Sequence, residues 1–214
     1  MHFHVVTLFP ESIEPYLKSS IIGRAQKAKK IKISFYDPKK FTRDKYGRVD
    51  RRPYGGGPGM VLEPDAILRA ADAALKKAKG KGQKAKVIFF STDGHQFDEA
   101  LAKQLSKAKN VLLIAGHYEG VDERVAKILK VKKVSMGPYV LTGGELPAAT
   151  LIDAVARFIP GVLGKADSLE GSRIASPEVY TRPEILTWKG KKHRVPKVLL
   201  TGHHAKINAW KMKR

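Results

Sequence analysis

The chain has 214 residues, enough for one main domain with a small appendage, and 41 Lys and Arg against 20 Asp and Glu give it a formal charge of +21. Because 43% of the residues are hydrophobic, the chain can bury a core, which excludes a disordered polycation. The charge favours polyanionic partners, with nucleic acid first among them. There is no cysteine, which excludes disulfides and thiolate chemistry and fits a reducing compartment.

The sequence offers little for a membrane. No apolar run approaches the ~20 residues of a spanning helix. The N-terminal stretch MHFHVVTLFPES lacks the basic start of a signal peptide. We therefore expect no membrane association and a cytoplasmic location.

Apolar spacing predicts alternating strands and helices along most of the chain. The predicted strands are 2–8, 32–36, 86–91, 110–116 and 131–136. The predicted helices are 10–28, 64–77, 97–105, 121–129 and 146–158, with a basic helix at 203–214. Buried strands that alternate with amphipathic helices indicate an α/β fold with a parallel sheet and flanking helices.

Two polar stretches interrupt this alternation. Residues 37–59 form a long predicted loop, and loops of that length are usually functional or disordered. Residues 167–183 contain Gly, Ser and Pro and resemble a linker. We divide the chain into a main domain (1–164), a linker (165–183) and a short basic helical C-terminal region (184–214).

The stretch 136–164, MGPYVLTGGELPAATLIDAVARFIPGVLG, contains only three charges, Glu145, Asp153 and Arg157. Its glycines and Pro138 permit tight backbone ahead of an apolar helix, which suits the close approach of a small ligand to main chain. The alternative is a tight turn before a core helix, with Asp153 and Arg157 paired at i, i+4.

Three unusual loops follow predicted strands: 91–94, 116–120 and 136–141. Ligands in open α/β folds usually bind at the carboxyl ends of strands. None of the loops is a dinucleotide or P-loop fingerprint, which argues against the usual nucleotide sites. Within 116–120, Tyr118 and Glu119 could stack on a base and accept its N–H groups, or form an ordinary turn.

A second glycine cluster, YGGGPG at 54–59, follows Arg48, Asp50, Arg51 and Arg52. Three cations around one carboxylate would suit phosphate contacts. The alternative is a flexible surface loop.

No metal or hydrolase site is expected. His2 and His4 would share one face of a strand, whereas His203 and His204 point apart on a helix. No H-E-x-x-H motif and no Cys/His set with zinc spacing is present. Ser91 lacks a nucleophile-elbow context, which argues against Ser-His-Asp hydrolysis.

Several stretches together resemble one family, the bacterial tRNA (guanine-N1)-methyltransferases that modify guanine 37, next to the anticodon. The motifs occur in the same order and cover nearly the whole chain. They are LFPE (8–11), VDRRPYGGGPGM (49–60), GHYEGVDERV (116–125), MGPYVLTGGELPA (136–148), RFIPGVLG (157–164), YTRPE (180–184) and LLTGHHAKINAWK (199–211).

The resemblance implies the SPOUT fold, an α/β domain with a deep C-terminal trefoil knot, which is a rare exception to unknotted chains. It also implies a homodimer with the active site at the interface, tRNA as substrate and S-adenosylmethionine as methyl donor. A requirement for Mg²⁺ does not follow from these residues.

Carried onto this sequence, the resemblance implies roles for particular residues. Glu119 would hold the edge of the target guanine, with Asp50 and Tyr54 near it. Arg157 would stabilise charge on the guanine, and residues 91–94 would line the cofactor pocket. The cofactor would bind Gly116, Met136, Gly137, Pro138, Tyr139, Val140 and Leu141.

The chemistry requires a base, because guanine N1 is a poor nucleophile until it loses its proton. In the family the base is an aspartate in a flexible stretch after GVLG. Here that stretch, KADSLEGSRIASPEV (165–179), is shorter and has Gly171 at the aligned position. Glu170 is the first candidate and Asp167 the second, the alternative being that both are ordinary linker carboxylates.

Other departures from the family are milder. Arg51 replaces an acidic residue, His117 an arginine, and Pro138 an aspartate beside the cofactor. Pro138 removes one N–H donor without abolishing a main-chain site. The chain stops at Arg214, before most of the helical region with which the family grips tRNA.

Two other functions remain open on the sequence. The first is a related knotted methyltransferase that acts on a ribose 2′-OH or another RNA base. The second is a basic RNA-binding protein without a catalytic base, which only the irregular 165–179 linker supports.

Overall fold

Five parallel strands form a single sheet in the order β2-β1-β6-β5-β7. The computed structural model describes residues 1–79, 84–163 and 178–212, and the chain divides into two units, Met1–Leu163 and Gly164–Arg214. The strands are β1 (His2–Val6), β2 (Lys32–Tyr36), β5 (Lys86–Gln96), β6 (Asn110–Ile114) and β7 (Lys132–Ser135). The predicted parallel α/β sheet is confirmed.

Helices cover both faces of the sheet, as its near-continuous apolar strands require. One buried cluster packs α1, α2, α4 and α6 on one face, and a second packs α3 and α5 on the other. The helices are α1 (Glu14–Leu17), α2 (Ser20–Lys27), α3 (Pro64–Lys79), α4 (Glu99–Ser106), α5 (Glu123–Leu129) and α6 (Glu145–Ala156). None of the helices in the described ranges is long and apolar enough to cross a membrane.

The prediction of one continuous helix over residues 10–28 is wrong. A 3₁₀ turn (Pro10–Ser12), α1 and α2 replace it, and the chain turns at Ser20, whose φ is +45°. A Cβ at Gly23 would lie 2.1 Å from the carbonyl oxygen of Lys18. The start of α2 therefore packs against the end of α1, an arrangement that a straight helix does not allow.

The predicted strand 86–91 is also too short, because β5 continues to Gln96. Its pairing with β7 shifts register between Phe90 and His95, both of which pair with Val134. Residues 91–94 are thus an irregularity inside a strand, not a loop after it. Backbone approaches backbone there, since a Cβ at Gly94 would lie 2.5 Å from the main-chain nitrogen of Val134.

The long segment 37–59 contains more structure than predicted. A 3₁₀ turn (Pro38–Lys40) begins it, and β3 (Asp50–Arg51) pairs antiparallel with β4 (Val61–Leu62). The two short strands bring Asp50 opposite Leu62, a fully buried residue of the core.

The described part of the second unit contains a hairpin that the prediction of a helical region missed. Strands β8 (Ile185–Trp188) and β9 (Lys191–Arg194) pair antiparallel across a two-residue turn, in which Lys189 and Gly190 both have positive φ. A 3₁₀ turn (Lys197–Leu200) and α7 (His204–Met212) follow. The predicted C-terminal helix is confirmed over α7.

A buried polar cluster lies on β1, where His2 and His4 share a face as predicted. The ring of His4 contacts the hydroxyl of Tyr36 at 3.0 Å and Oδ1 of Asn110 at 3.4 Å, and the two histidine rings are 3.8 Å apart. The pKa of His2 is lowered to about 4, mainly by burial and to a smaller extent by the neighbouring His4 and Lys32. Burial also lowers the pKa of His4.

These shifts predict a pH-dependent stability. Between pH ~6.5 and ~4 the unfolded chain binds a proton at His2 that the folded chain rejects, so the free energy of unfolding decreases as the pH falls through this window. Urea unfolding at several pH values should show a shallower decrease for His2→Gln than for the wild type. The exposed His193→Gln is the control, and a decrease as steep in His2→Gln as in the wild type would contradict the assignment.

Candidate active site

A cavity of about 240 Å³ lies at the carboxyl ends of β6 and β7, beside the register irregularity within β5. It is slightly smaller than the ~300–1,000 Å³ typical of small-molecule sites. Its walls come from the middle of β5, the loop after β6 and the loop after β7. The lining residues are Phe89, Phe90, Ser91, Thr92, Gly116, His117, Tyr118, Glu119, Gly120, Val134, Ser135, Met136, Tyr139, Val140, Leu141, Thr142, Gly143, Gly144 and Pro147.

Most of the residues predicted for the cofactor meet at this cavity. Gly116, Met136 and the run 139–141 line it, as do Ser91 and Thr92 of the 91–94 stretch. Gly137 and Pro138 are outside the lining set, although they belong to the same loop. The sheet topology explains why the loops after β6 and β7 meet, because parallel strands end on one edge. Ser91 and Thr92 reach the cavity from the irregularity within β5.

The loop after β7 is held by its own polar contacts. The Tyr139 ring lies against Gly137, where a Cβ would be 2.2 Å from ring atom Cε1. The Tyr139 hydroxyl donates to the carbonyl of Met136 at 3.2 Å, and the Ser135 hydroxyl contacts the carbonyl of Gly137 at 3.1 Å. A side chain at Gly137 would therefore displace the Tyr139 ring from this position.

The start of α6 packs directly on the end of β6. The Gly144 N–H donates to the Gly116 carbonyl at 2.7 Å, and a Cβ at Gly144 would lie 2.5 Å from Cα of Ala115. His117 and Gly143 form an isolated antiparallel bridge beside this contact. The loops after β6 and β7 are consequently joined by main chain.

The loop after β6 is also joined to β4. The N–H of Glu119 donates to the Met60 carbonyl at 3.0 Å, and the N–H of Leu62 donates to the Gly120 carbonyl at 2.9 Å. The Glu119 side chain rests on Gly59, where a Cβ would lie 2.5 Å from Oε1. This connection places Glu119 near β3, which carries Asp50.

The other two residues predicted to bind the substrate, Asp50 and Tyr54, differ in their exposure to solvent. Asp50 is half-buried on β3, whereas Tyr54 is fully exposed at 101% and is not among the lining residues. Nothing lies within 4 Å of a Cβ built at Gly55, Gly56 or Gly57, so this part of the glycine cluster forms an open surface turn.

Asp44 organises the arginines ahead of β3. Its carboxylate accepts from Arg48, from the N–H of Tyr46 and from Arg51 at 3.2 Å. These hydrogen bonds, of which the one from Arg48 has the largest effect and the one from the Tyr46 N–H the next largest, lower the pKa of Asp44 to about 2. Arg51 also contacts Glu63 at 3.4 Å. Both guanidinium groups stay more than half exposed, which leaves N–H donors facing solvent.

Arg157 ends α6 as its C-cap residue, with its N–H directed at the carbonyl of Asp153 at 3.3 Å. It is half-buried and is not among the lining residues of the cavity. The Asp153 carboxylate accepts from the Tyr16 hydroxyl at 2.5 Å, which raises the pKa of Tyr16. Glu170 and Asp167 lie outside the described residues.

The predicted site residues did not include Thr7 and Glu145, which form a buried pair next to the cavity. Glu145 is only 7% exposed and accepts from the Thr7 hydroxyl at 2.7 Å. The available signal was a lone carboxylate at the head of an apolar helix, which needs a buried partner. Among residues 1–79, 84–163 and 178–212, no three His, Asp or Glu side chains are grouped to hold a metal ion.

The model of one protein family, described as tRNA (Guanine-1)-methyltransferase, matches residues 1–214. Curated relatives share this name. One from Pseudoalteromonas atlantica is 45% identical over 99% of this chain and 78% of its own length, and one from Psychromonas ingrahamii is 46% identical over 100% and 86%. A Haemophilus influenzae relative is 45% identical over 100% and 85%. The chain belongs to this family.

Family membership supports the resemblance inferred from the motifs, and the chemistry of the cavity can be compared with that of a methyl donor. The cavity joins the apolar side chains of Met136, Val140 and Leu141 to the hydroxyl groups of Ser91 and Thr92. This combination suits a nucleoside group, which has an apolar base face and ribose hydroxyls. A methyl donor of that chemistry is what a methyltransferase family implies.

The contact between Gly144 and Ala115 predicts a large effect of a single methyl group. Gly144→Ala should lower the free energy of unfolding by about 1–3 kcal/mol, because the new Cβ meets backbone, which cannot rotate away. Urea unfolding measures this loss. Thr150→Ala, at an exposed position of the same helix, is the control. Equal stability of Gly144→Ala and the control would show that the approach is looser than described.

Proposed function

We propose that this protein transfers a methyl group from S-adenosylmethionine to N1 of guanine 37 in tRNA. The supporting observation is the family membership together with the cavity at the strand ends. Within that cavity the loop carrying Glu119 meets the predicted cofactor loop at 136–141. A nucleoside cofactor and a target base could therefore lie side by side.

When bound, S-adenosylmethionine supplies a methyl group already activated on a sulfonium. The work of the protein is then to deprotonate guanine N1 and to orient the base. A carboxylate would take the N1 proton, with Glu170 the first candidate for this base and Asp167 the second, and this would free the N1 lone pair to accept the methyl group. Negative charge that develops on O6 is stabilised by Arg157.

Glu119 would accept hydrogen bonds from the edge of the base, with Asp50 close by. The base must leave its stack to reach the cavity. The Asp44 cluster would present Arg48 and Arg51 to the phosphates beside it, because both are more than half exposed.

We also propose the trefoil knot and the homodimer of the family. The support for the knot is the course of the chain. β7 lies at the edge of the sheet beyond β5, yet α6 begins against the end of β6 on the other side of β5. The chain thus returns across a strand through a contact too close for any side chain at Gly144. In the dimer, the second protomer would complete the wall of the cavity.

The C-terminal region would bind the tRNA backbone. Residues 185–212 contain no Asp or Glu, and their cations are Lys189, Lys191, Lys192, Arg194, Lys197, Lys206 and Lys211. Trp188 is 64% exposed beside them on the hairpin. Cations next to an exposed aromatic ring are typical of protein surfaces that bind nucleic acid. A cytoplasmic location follows from this substrate as part of the proposal.

An assay of the product tests this function. Radiolabelled S-adenosylmethionine and a tRNA transcript with guanine at position 37 should give N1-methylguanosine on digestion. A 2′-O-methyl nucleoside would favour the related knotted enzymes, and binding without transfer would favour an RNA-binding protein. A transcript with adenine at position 37 is the control.

Arg157→Ala should lower kcat by about 10²–10³-fold, since a donor to the developing oxyanion is lost. Arg69→Ala, which removes an arginine paired with Asp65 on α3, is the matched control. Glu170→Gln and Asp167→Asn distinguish the two candidate bases by their kcat. Full activity of Glu170→Gln would exclude that residue as the base.

Binding of tRNA should weaken steeply with salt, because contacts to phosphates release counterions. Filter binding between 50 and 200 mM salt should show a decrease of about 10³-fold or more if six or more phosphates are contacted. Replacing Lys191 and Lys192 by Gln should reduce the slope of log affinity against log salt. An unchanged slope would exclude these two lysines from the interface.

A further inference from the structure

A buried polar cluster that the proposed reaction does not use lies behind the wall of the cavity. Glu145, the first residue of α6, is 7% exposed. The Thr7 hydroxyl donates to its Oε1 at 2.7 Å, and the N–H of Phe9 donates to Oγ1 of Thr7 at 3.0 Å. One carboxylate oxygen is therefore held by the segment after β1. A carboxylate is favoured at this helix N-terminus by the helix dipole.

The other oxygen of Glu145 faces His117. Oε2 lies 3.7 Å from Nδ1 of His117, which is buried and has no hydrogen-bond partner among the residues that the structure describes. Buried polar atoms are nearly always partnered, and bonds to a carboxylate are among the stronger ones. A shift of about 1 Å would bring the pair to the ~2.8 Å of a charge-assisted bond.

The sequence leaves room for this pair at Gly143. A Cβ at that position would lie 2.3 Å from Oε2 of Glu145 and 2.6 Å from Nδ1 of His117. Gly143 has no positive φ that would require glycine. The space for the pair is therefore the reason for a glycine here.

The position of His117 determines the turn that carries Glu119. The carbonyl of His117 accepts from the N–H of Gly120 at 3.2 Å, and Tyr118 has a φ of +60° within this turn. The His117 ring packs between Phe9 and Tyr118, with centroid distances of 4.7 and 5.0 Å. Movement of the ring would therefore move the turn.

We infer that His117 and Glu145 are positioning residues that hold Glu119 in place for the target guanine. The chain of contacts runs from Thr7 through Glu145 and His117 to the turn. It connects the segment after β1 to the guanine side of the cavity. This inference deepens the proposed function and rests on it, since Glu119 is its point of action.

A double-mutant cycle between His117 and Glu119 tests the inference. Residues that act through one another give non-additive effects, whereas independent residues give additive free energies. His117→Ala, Glu119→Ala and the double variant are compared by kcat and KM on the guanine-37 transcript. His117→Gln, which keeps more of the volume, replaces His117→Ala if the latter does not unfold cooperatively.

His117→Ala should lower kcat/KM by about tenfold and Glu119→Ala by about a hundredfold, within the range of coupled sites. The double variant should be no less active than Glu119→Ala. His117→Arg keeps a donor towards Glu145 and should retain most activity. Glu145→Gln should resemble His117→Ala, whereas Glu99→Gln, at the exposed first position of α4, should match the wild type.

Two results would overturn the inference. One is a double variant in which the two losses multiply, and the other is a Glu119→Ala variant as active as the wild type. If the wild type forms no N1-methylguanosine, the proposed function fails separately. In that case the double-mutant cycle is repeated with the affinity for the transcript as the measured quantity, in the presence of S-adenosylhomocysteine, because binding needs no turnover. Additive losses of affinity would then overturn the positioning role.

Discussion

The candidate site depends on one backbone contact, the approach of Gly144 to the end of β6. The start of α6 lies so close to Ala115 that a methyl group would not fit between them. This contact joins the loop after β7 to the loop after β6, and both line the cavity. The contact also brings the chain back across β5, which gives the proposed knot its physical basis. Glycine is needed here for space and not for a special dihedral angle.

Three other glycines near the site also leave space for a neighbouring side chain, and one of them, Gly59, has in addition a positive φ of +78°. Gly59 leaves space for the Glu119 side chain, Gly137 for the Tyr139 ring, and Gly143 for the Glu145 and His117 pair. The contacts at Gly59 and Gly143 bring two loops together, whereas the contact at Gly137 lies within the loop after β7. The site is thus assembled by close packing of loops, and a added methyl group at any of these positions forces its neighbour to move.

Charge is arranged in two contrasting ways. Within the main unit, the buried carboxylate of Glu145 is supported by Thr7 and by the start of a helix. At the surface, Asp44 draws two arginines together while their guanidinium groups remain exposed. The first arrangement keeps a charge within the apolar interior, and the second concentrates positive charge where a polyanion could bind.

The fold class and the region of the site follow from the amino-acid sequence. Runs of buried residues such as 110–114 predicted parallel strands, and strands of that kind end on a shared edge. That rule was enough to bring Gly116 and Met136 to one cavity, whereas Ser91 reaches the same cavity from within β5. The order of long motifs was enough to identify the family.

Contacts between residues far apart in the chain could not be predicted from the sequence and are seen only in the folded structure. Thr7 meets Glu145 across 138 positions, and Glu119 meets Gly59 across 60, and no local pattern encodes either pair. The irregularity in β5 and the break before α2 arise from backbone packing on Val134 and Lys18, which local propensity does not register. Periodicity reports which face of an element is buried, whereas packing between elements decides which atoms meet.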